Sequence, residues 1–252
     1  MIKRRISFLR VNEHWFDYEH YYQDHADIIV LRTNDKNHKH DCLITERTLT
    51  IDLREDLNEL FRKCEQRCRH SISSASKKNH ISLARNDDRE IFYRLYSEFA
   101  KERKLLVPDK SEEEDTDIFI CKSDEGNPVH FAAFIQNPSL GIYRYRYSLS
   151  VSKSQANAAL IWAAITHAKN SDYSTFDLGG ISKRSSSELQ GIDKFKLQFG
   201  AKETDFYVHI RSSNYLLGLL LRCAGLIMQN EMVYRNITHL LSSRARFNTE
   251  RK

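Results

Sequence analysis

The sequence predicts an α/β (α+β) domain built on a mixed, mostly antiparallel central sheet flanked by helices. Three observations carry that expectation. Strand-like and helix-like segments are interleaved along the chain, as one layered domain requires. Three consecutive strand signals, "DIFICK", "PVHFAAFIQ" and "GIYRYRYSLSV", are divided only by the turn-forming "SDEGNP" and "NPSLG", which marks an antiparallel meander. Then "GIYRYRYSLSV", a helix apolar nearly all round ("NAALIWAAITHAKN") and the strand "STFDLGG" follow in turn, which demands a crossover between neighbouring parallel strands.

The remaining elements are read in order. "ISFLRV" and "DIIVLRT" are short runs with β-branched residues and predict strands, and "HKHDCLITERTLTIDL" continues that character. His38 and His40 read as a polar turn within it. From Arg54 to Lys78, Leu57, Leu60, Phe61, Cys64, Cys68, Ile72 and Ala75 recur every three or four residues and predict one long helix, with Asp52 and Glu55 as a capping box. "HISLAR" reads as a strand and "DDREIFYRLYSEFAKERK" as a helix, acidic at its start and basic at its end. "KSEEEDTD" is a solvent-exposed loop. After "STFDLGG" come a loop and short helix, the strand "TDFYVHI" and a helical end. The expected organisation is a domain over residues 1–212 and a basic helical extension over 213–252.

With 252 residues, 40% hydrophobic and 29% charged, the chain has the composition of a soluble globular protein. Charges interrupt the opening "MIKRRISFLRVNEHW", so no secretory leader is predicted. Five scattered cysteines favour a reducing, cytoplasmic setting. Cys64 and Cys68 lie one helical turn apart without a second pair, and no metal is expected. Residues 211–252 hold seven basic side chains against Glu231 and Glu250, which equals the net +5 of the whole chain. Such a tail suits an anionic neighbour (membrane surface, phosphate-bearing substrate or RNA) or is a solvated helix face. "YLLGLLLRCAGLIM" is shorter than the ~20 residues a spanning helix needs, and Arg222 divides it, so it is a buried or surface-lying helix. With the tail it can rest at the inner face of an anionic membrane.

"ALIWAAITHAKNSDYSTFDLGGIS" followed by "GIDKFKLQFGA" resembles the acyltransferases of the GNAT superfamily, in the branch related to Fem-type peptidoglycan-bridge aminoacyltransferases. A helix ending in "AK", a strand ending in an Asp and "GG", and a distal "FK…FG" recur in that branch at about this spacing. The upstream "TIDLREDLNELFRKCEQRCRHSISSASKKNHISL" is similar to the branch's first long helix and following strand, so the resemblance spans residues 50–210. The chain departs from the pattern twice. Ser73 and Ser74 replace a basic pair, and "SVSKSQANA" stands, without any Gly, where acetyl-CoA-dependent members carry a Gly-rich pyrophosphate loop. A helix N-terminus still suits an anion there, and Lys153 is placed to assist.

The resemblance implies an N-acyltransferase with no bound cofactor, taking acyl-CoA or aminoacyl-tRNA as co-substrate. The implied acceptor is an amino sugar of a cell-envelope glycan or its precursor. Aminoacyl-tRNA transfer of the bridge-building type is the alternative, and a non-catalytic module binding RNA or anionic lipid is another. In the family's fold the donor carbonyl sits where two parallel strands part, which here are "GIYRYRYSLSV" and "STFDLGG". Asp177 either accepts the amine's proton or orients the amine, or bonds the turn amides of Gly179 and Gly180. The family's donor-contacting pair falls on Phe195 and Lys196, with Gly179 and Gly180 allowing close approach. Lys196 meets phosphate or developing negative charge, or else is an exposed lysine with its stem on the core. Alternation puts Tyr143, Tyr145 and Tyr147 on one strand face, with Tyr147 nearest the opening as a third catalytic candidate. Arg67 and Arg69 are candidates for an anionic acceptor or for surface ion pairs.

Overall fold

The structure, a computed structural model, describes residues 2–6, 9–102, 116–152, 156–181 and 187–228. Along the chain lie strands β1 (Ile2–Ile6) and β2 (Leu9–Trp15), helix α1 (Tyr18–Gln23), and strands β3 (Ile28–Thr33) and β4 (Cys42–Asp52). Helices α2 (Leu57–Lys63) and α3 (Gln66–Ser76) follow, then β5 (Asn79–Leu83), α4 (Asn86–Glu102), β6 (Thr116–Ser123), β7 (Pro128–Asn137) and β8 (Ile142–Ser150). The last elements are α5 (Asn157–Asn170), β9 (Thr175–Gly180), α6 (Ser187–Leu197), β10 (Lys202–Ser212) and α7 (Tyr215–Met228). The chain divides into two compact units, Arg47–Thr204 and the described residues on either side of it.

The unit Arg47–Thr204 holds strands in the order β4-β9-β8-β7-β6-β5. The meander β6-β7-β8 is antiparallel throughout, as its turn chemistry predicts, and β4 pairs antiparallel with β9. β8 and β9, joined through α5, are parallel. One face of the sheet carries Phe134, Tyr143, Phe176 and Leu178 against Ile72 and Ala75 of α3 and Leu160, Ile161, Ala164 and Ile165 of α5. Burial all round α5 explains why its sequence lacks a polar stripe; each fully buried Leu or Ile contributes about 1.5–3 kcal/mol. The other face packs Phe131 and Ala133 against Phe92, Tyr96 and Ala100 of α4.

Three local expectations are corrected. The helix read from Arg54 to Lys78 is two helices. Cys64 turns extended (ψ 141°) and the Glu65 amide donates to Gln198 O at 2.8 Å, a tertiary bond that draws the backbone out of helical geometry. The N-cap is Asp56, which accepts from Asn58 N at 2.8 Å, while Asp52 is taken up by the amide and guanidinium of Arg54. The three tyrosines of β8 do not share a face. The register with β7 slips between Ala133 and Phe134, so Arg146 is the extra residue and Tyr147 turns away from Tyr143 and Tyr145.

In the other unit the strands lie in the order β1-β2-β3-β10, with β2 and β3 parallel and β10 antiparallel to β3. The strand read at "ISFLRV" is divided between β1 and β2, which form an antiparallel pair. Fully buried Tyr21 of α1 packs on Ala26, Ile29 and Leu31, its hydroxyl donating to Lys39 O at 2.6 Å. His38 stacks on Tyr18 at 4.5 Å, and His40 Nδ1 stands 2.7 Å from His38 O.

Candidate functional site

β8 and β9 pair over three positions only: Ile142 with Thr175, Tyr143 with Phe176 and Arg144 with Asp177. Both strands continue, β8 to Ser150 and β9 to Gly180. The parallel pair therefore parts beyond Arg144 and Asp177, as expected of these strands. Strand backbone without its neighbour keeps N–H and C=O groups that need partners, and a ligand can supply them.

At the point of parting lies a buried polar network. Phe176 and Leu178 enter the main core, so alternation sends Asp177 to the opposite face. Its Oδ1 accepts from Gly179 N at 2.7 Å and from the Thr48 hydroxyl, and its Oδ2 accepts from the Arg144 guanidinium. Thr48, Arg144 and Asp177 are all buried. A carboxylate can stay ionised in such a place only when paired and hydrogen-bonded. Of the two readings of Asp177, these contacts match the structural one at Gly179. The Ile181 amide, beyond Gly180, donates instead to Arg47 O at 3.0 Å.

Lys196 comes to the same place from α6. Phe195 and Phe199 share one helix face, with ring centroids 5.5 Å apart, and pack on the main core. That packing turns Lys196 toward the end of β9, where its Nζ donates to Gly180 O at 2.7 Å. The reading of Lys196 as an exposed lysine does not hold: it is 8% exposed, whereas Lys194 is open to solvent. Desolvation lowers the Lys196 pKa, Asp193 pushes it back up, Arg144 lowers it further and Asp177 raises it. Gly179 has φ +84°, in the left-handed region that favours glycine, and a Cβ there would stand 3.6 Å from both Lys196 Nζ and Tyr145 O. Gly191 lies inside α6.

The other candidates fall elsewhere. Tyr147 is on the opposite face from Tyr143, stacked on Tyr96 at 4.4 Å and on Phe92 at 6.0 Å. Arg69 donates to Arg62 O at 3.1 Å and to Cys64 O, closing the end of α2, and Arg67 is exposed on α3. Lys153 lies outside the described residues. At the start of α5, among the described residues, no side chain caps the helix and the buried Asn157 Oδ1 has no hydrogen-bond partner. Beside it is His130 of β7, 5% exposed, whose ring meets the Asn157 side chain and, among the described residues, no better-aligned partner. Burial pushes the His130 pKa down to about 4, against a small upward pull from Asn157. Cys64 and Cys68 are free thiols in the core, and no cluster of three or more metal-ligating side chains forms among the described residues.

Sequence reasoning missed Arg144 and Thr48. Alternation alone places Arg144 with Arg146 on the strand face opposite the tyrosines and assigns it no role. The available signal was Asp177 itself: a carboxylate between Phe and Leu in a central strand requires a buried cation nearby.

No family model and no curated protein matches the sequence. Solved structures do match the fold. FemX superposes with a TM-score of 0.56 at 13% identity, covering 72% of this chain and 72% of its own. L-PGS from Bacillus licheniformis gives 0.52 at 14% identity, covering 77% and 71%. The C-terminal domain of a protein assigned as a lysylphosphatidylglycerol synthetase, from Agrobacterium fabrum, gives 0.51 at 13% identity, covering 77% and 70%. The chain thus shares the mixed α/β fold of FemX and of these two further structures, in line with the fold that its motifs imply.

Proposed function

We propose that this chain is an N-acyltransferase that moves an acyl group from an activated donor to an amino group. Its acceptor is an amino sugar of a cell-envelope glycan, or the nucleotide- or lipid-linked precursor of one. The observation that carries the reading is the parting of β8 and β9 directly beyond Arg144 and Asp177, with Lys196 over the open end. Bound between the strands, the donor carbonyl meets backbone amides and the Lys196 ammonium, which offset charge developing on its oxygen. The amine nitrogen attacks the carbonyl carbon, the bond to the thiol or hydroxyl leaving group breaks, and the amine proton passes to that group or to solvent. Positioning supplies much of the rate, and no covalent enzyme intermediate is required. Asp177 is a positioning residue here. Both its oxygens are engaged, and through Gly179 and Arg144 it sets the turn on which Gly180 and Lys196 meet.

A coenzyme A thioester is one donor, and aminoacyl-tRNA is the second reading. The second is favoured by the likeness to FemX and to proteins named for lysylphosphatidylglycerol synthesis, and by the lack of Gly in "SVSKSQANA". Purified protein is to be incubated with labelled acetyl-CoA, longer acyl-CoAs and charged tRNA, each with amino-sugar acceptors. The expected outcome is label in an amide product with one donor class, lost in Lys196→Met. No transfer from any donor would reject catalysis and favour a binding module of the same fold.

A further inference from the structure

Helix α7 turns its apolar side to solvent. Tyr215, Leu216, Leu219 and Leu220 are 78%, 69%, 47% and 65% exposed, and Cys223 is exposed as well. At 3.6 residues per turn these five positions fall within one arc of about 140°. The opposite side is fixed to its unit. Leu217 and Leu221 are half-buried, and Gly218 lies against Asp41, so close that a Cβ would stand 3.0 Å from Oδ2. Arg222 pairs with Asp41 Oδ1 at 2.8 Å, and the Asn214 side chain accepts from Leu216 N at 2.9 Å and from Leu217 N at 3.2 Å. These ties hold α7 in its rotation, so the apolar stripe cannot roll inward. An ordinary surface helix is polar on its outer side, and α7 is the reverse.

The charge that the sequence carries through and after the stripe selects its partner. Residues 211–252 carry seven Arg and Lys against two Glu, the whole positive excess of the chain. A second copy would bring the same positive charge to the interface, and like charges there oppose association. An anionic phospholipid surface offers negative headgroups above an apolar interior and satisfies both features. No helix of the described residues is long and apolar enough to cross a bilayer, so α7 would lie in the plane of the interface. The geometry points to α7 as an interfacial anchor, lying on an anionic bilayer with Tyr215, Leu216, Leu219 and Leu220 immersed. The inference does not depend on the transferase reading.

Cys223 lies within the stripe, and the other four cysteines are buried. An environment-sensitive fluorophore on Cys223 therefore reports immersion of α7 directly. The full chain is mixed with vesicles of phosphatidylglycerol and phosphatidylcholine in equal parts, and with phosphatidylcholine alone, and sedimented at moderate salt. Binding to the anionic vesicles with a blue-shifted label is expected, and Leu216→Glu with Leu220→Glu should weaken it by at least about tenfold. Undiminished binding of that variant, or an unshifted label, would mean adsorption by charge alone and overturn the anchor. Failure to bind either vesicle would overturn it as well, whether the chain then sediments as a monomer or as a dimer joined through this face.

Discussion

Asp177 on β9 and His130 on β7 belong to the same unit and are similarly buried, at 2% and 5% exposure, yet their polar atoms are treated oppositely. The carboxylate has Thr48, Gly179 and Arg144 on its two oxygens. Among the described residues the imidazole has only the Asn157 side chain beside it, and burial pushes its pKa down to about 4 against that contact. Burial alone therefore does not decide whether a charge survives inside this unit. Local partners offset the cost of burying a polar group, and where they are few desolvation works against the charged form. The Asp177 network sits where β8 and β9 part, the His130 ring near the start of α5.

The largest effect is expected at the Asp177 network. Asp177→Ala leaves the Arg144 guanidinium buried without its carboxylate, which typically costs about 3–5 kcal/mol. Urea unfolding should show that loss, and Asp177→Ala combined with Arg144→Met should recover part of it. A single variant as stable as the parent chain would mean that Arg144 reaches solvent, and the comparison would fail.

The next effect belongs to His130 and is read by pH. Burial pushes its folded pKa to about 4, below the ordinary imidazole value of 6.5. Between those values the unfolded chain binds a proton that the folded chain refuses, so stability is lost as pH falls through the window. At 1.36 kcal/mol per unit the loss reaches about 3 kcal/mol near pH 4. His130→Leu should flatten that part of the stability profile. If the slopes coincide, His130 is protonated in the folded chain and has found a partner.

Lys196 stands between the two cases, desolvated like His130 but hydrogen-bonded to Gly180 O at 2.7 Å. Lys196→Met keeps the aliphatic stem and removes the ammonium. Loss of a charge-assisted hydrogen bond in the transition state, about 1.5–3 kcal/mol, corresponds to ten- to a hundredfold in transfer. Because the Met variant also relieves a desolvated charge, its melting temperature should stay close to that of the parent chain. Unchanged transfer in a folded Lys196→Met protein would leave α6 a core anchor only.

The fold was more legible than the site. Alternation and turn residues marked the β6-β7-β8 meander, and the strand–helix–strand run around α5 called for the parallel β8-β9 pair. The break at Cys64 was not readable, because a hydrogen bond to Gln198, far along the chain, makes it. Nor was the slip that turns Tyr147 to the α4 face, since a bulge leaves the alternation of the sequence intact. At the site, Asp177, Gly179 and Lys196 were found from the resemblance, while Arg144 was not. Its role depends on strand register, which puts Arg144 beside Asp177, and register is a property of the assembled sheet.

The smallest predicted effect tests the turn that joins Asp177 to Lys196. Gly179 has φ +84°, whereas the neighbouring Gly180 is not in the left-handed region, and a Cβ on Gly180 would meet only Arg47 O, at an ordinary 3.6 Å. A Cβ on Gly179 is also at ordinary contact distance from Lys196 Nζ and Tyr145 O, so its cost is conformational rather than steric. Holding an L-residue there costs roughly 1–2 kcal/mol. Gly179→Ala should unfold at lower urea by that amount, and Gly180→Ala should lie within about 0.5 kcal/mol of the parent chain. Because the Gly179 amide donates to Asp177 Oδ1, a Gly179→Ala chain that relaxes its φ must shift that amide and carry Gly180 O away from Lys196. Transfer should then fall in Gly179→Ala and not in Gly180→Ala. Two alanine variants of equal stability and equal activity would show that the turn has no need of its left-handed residue, and that Asp177 and Lys196 are not coupled through it.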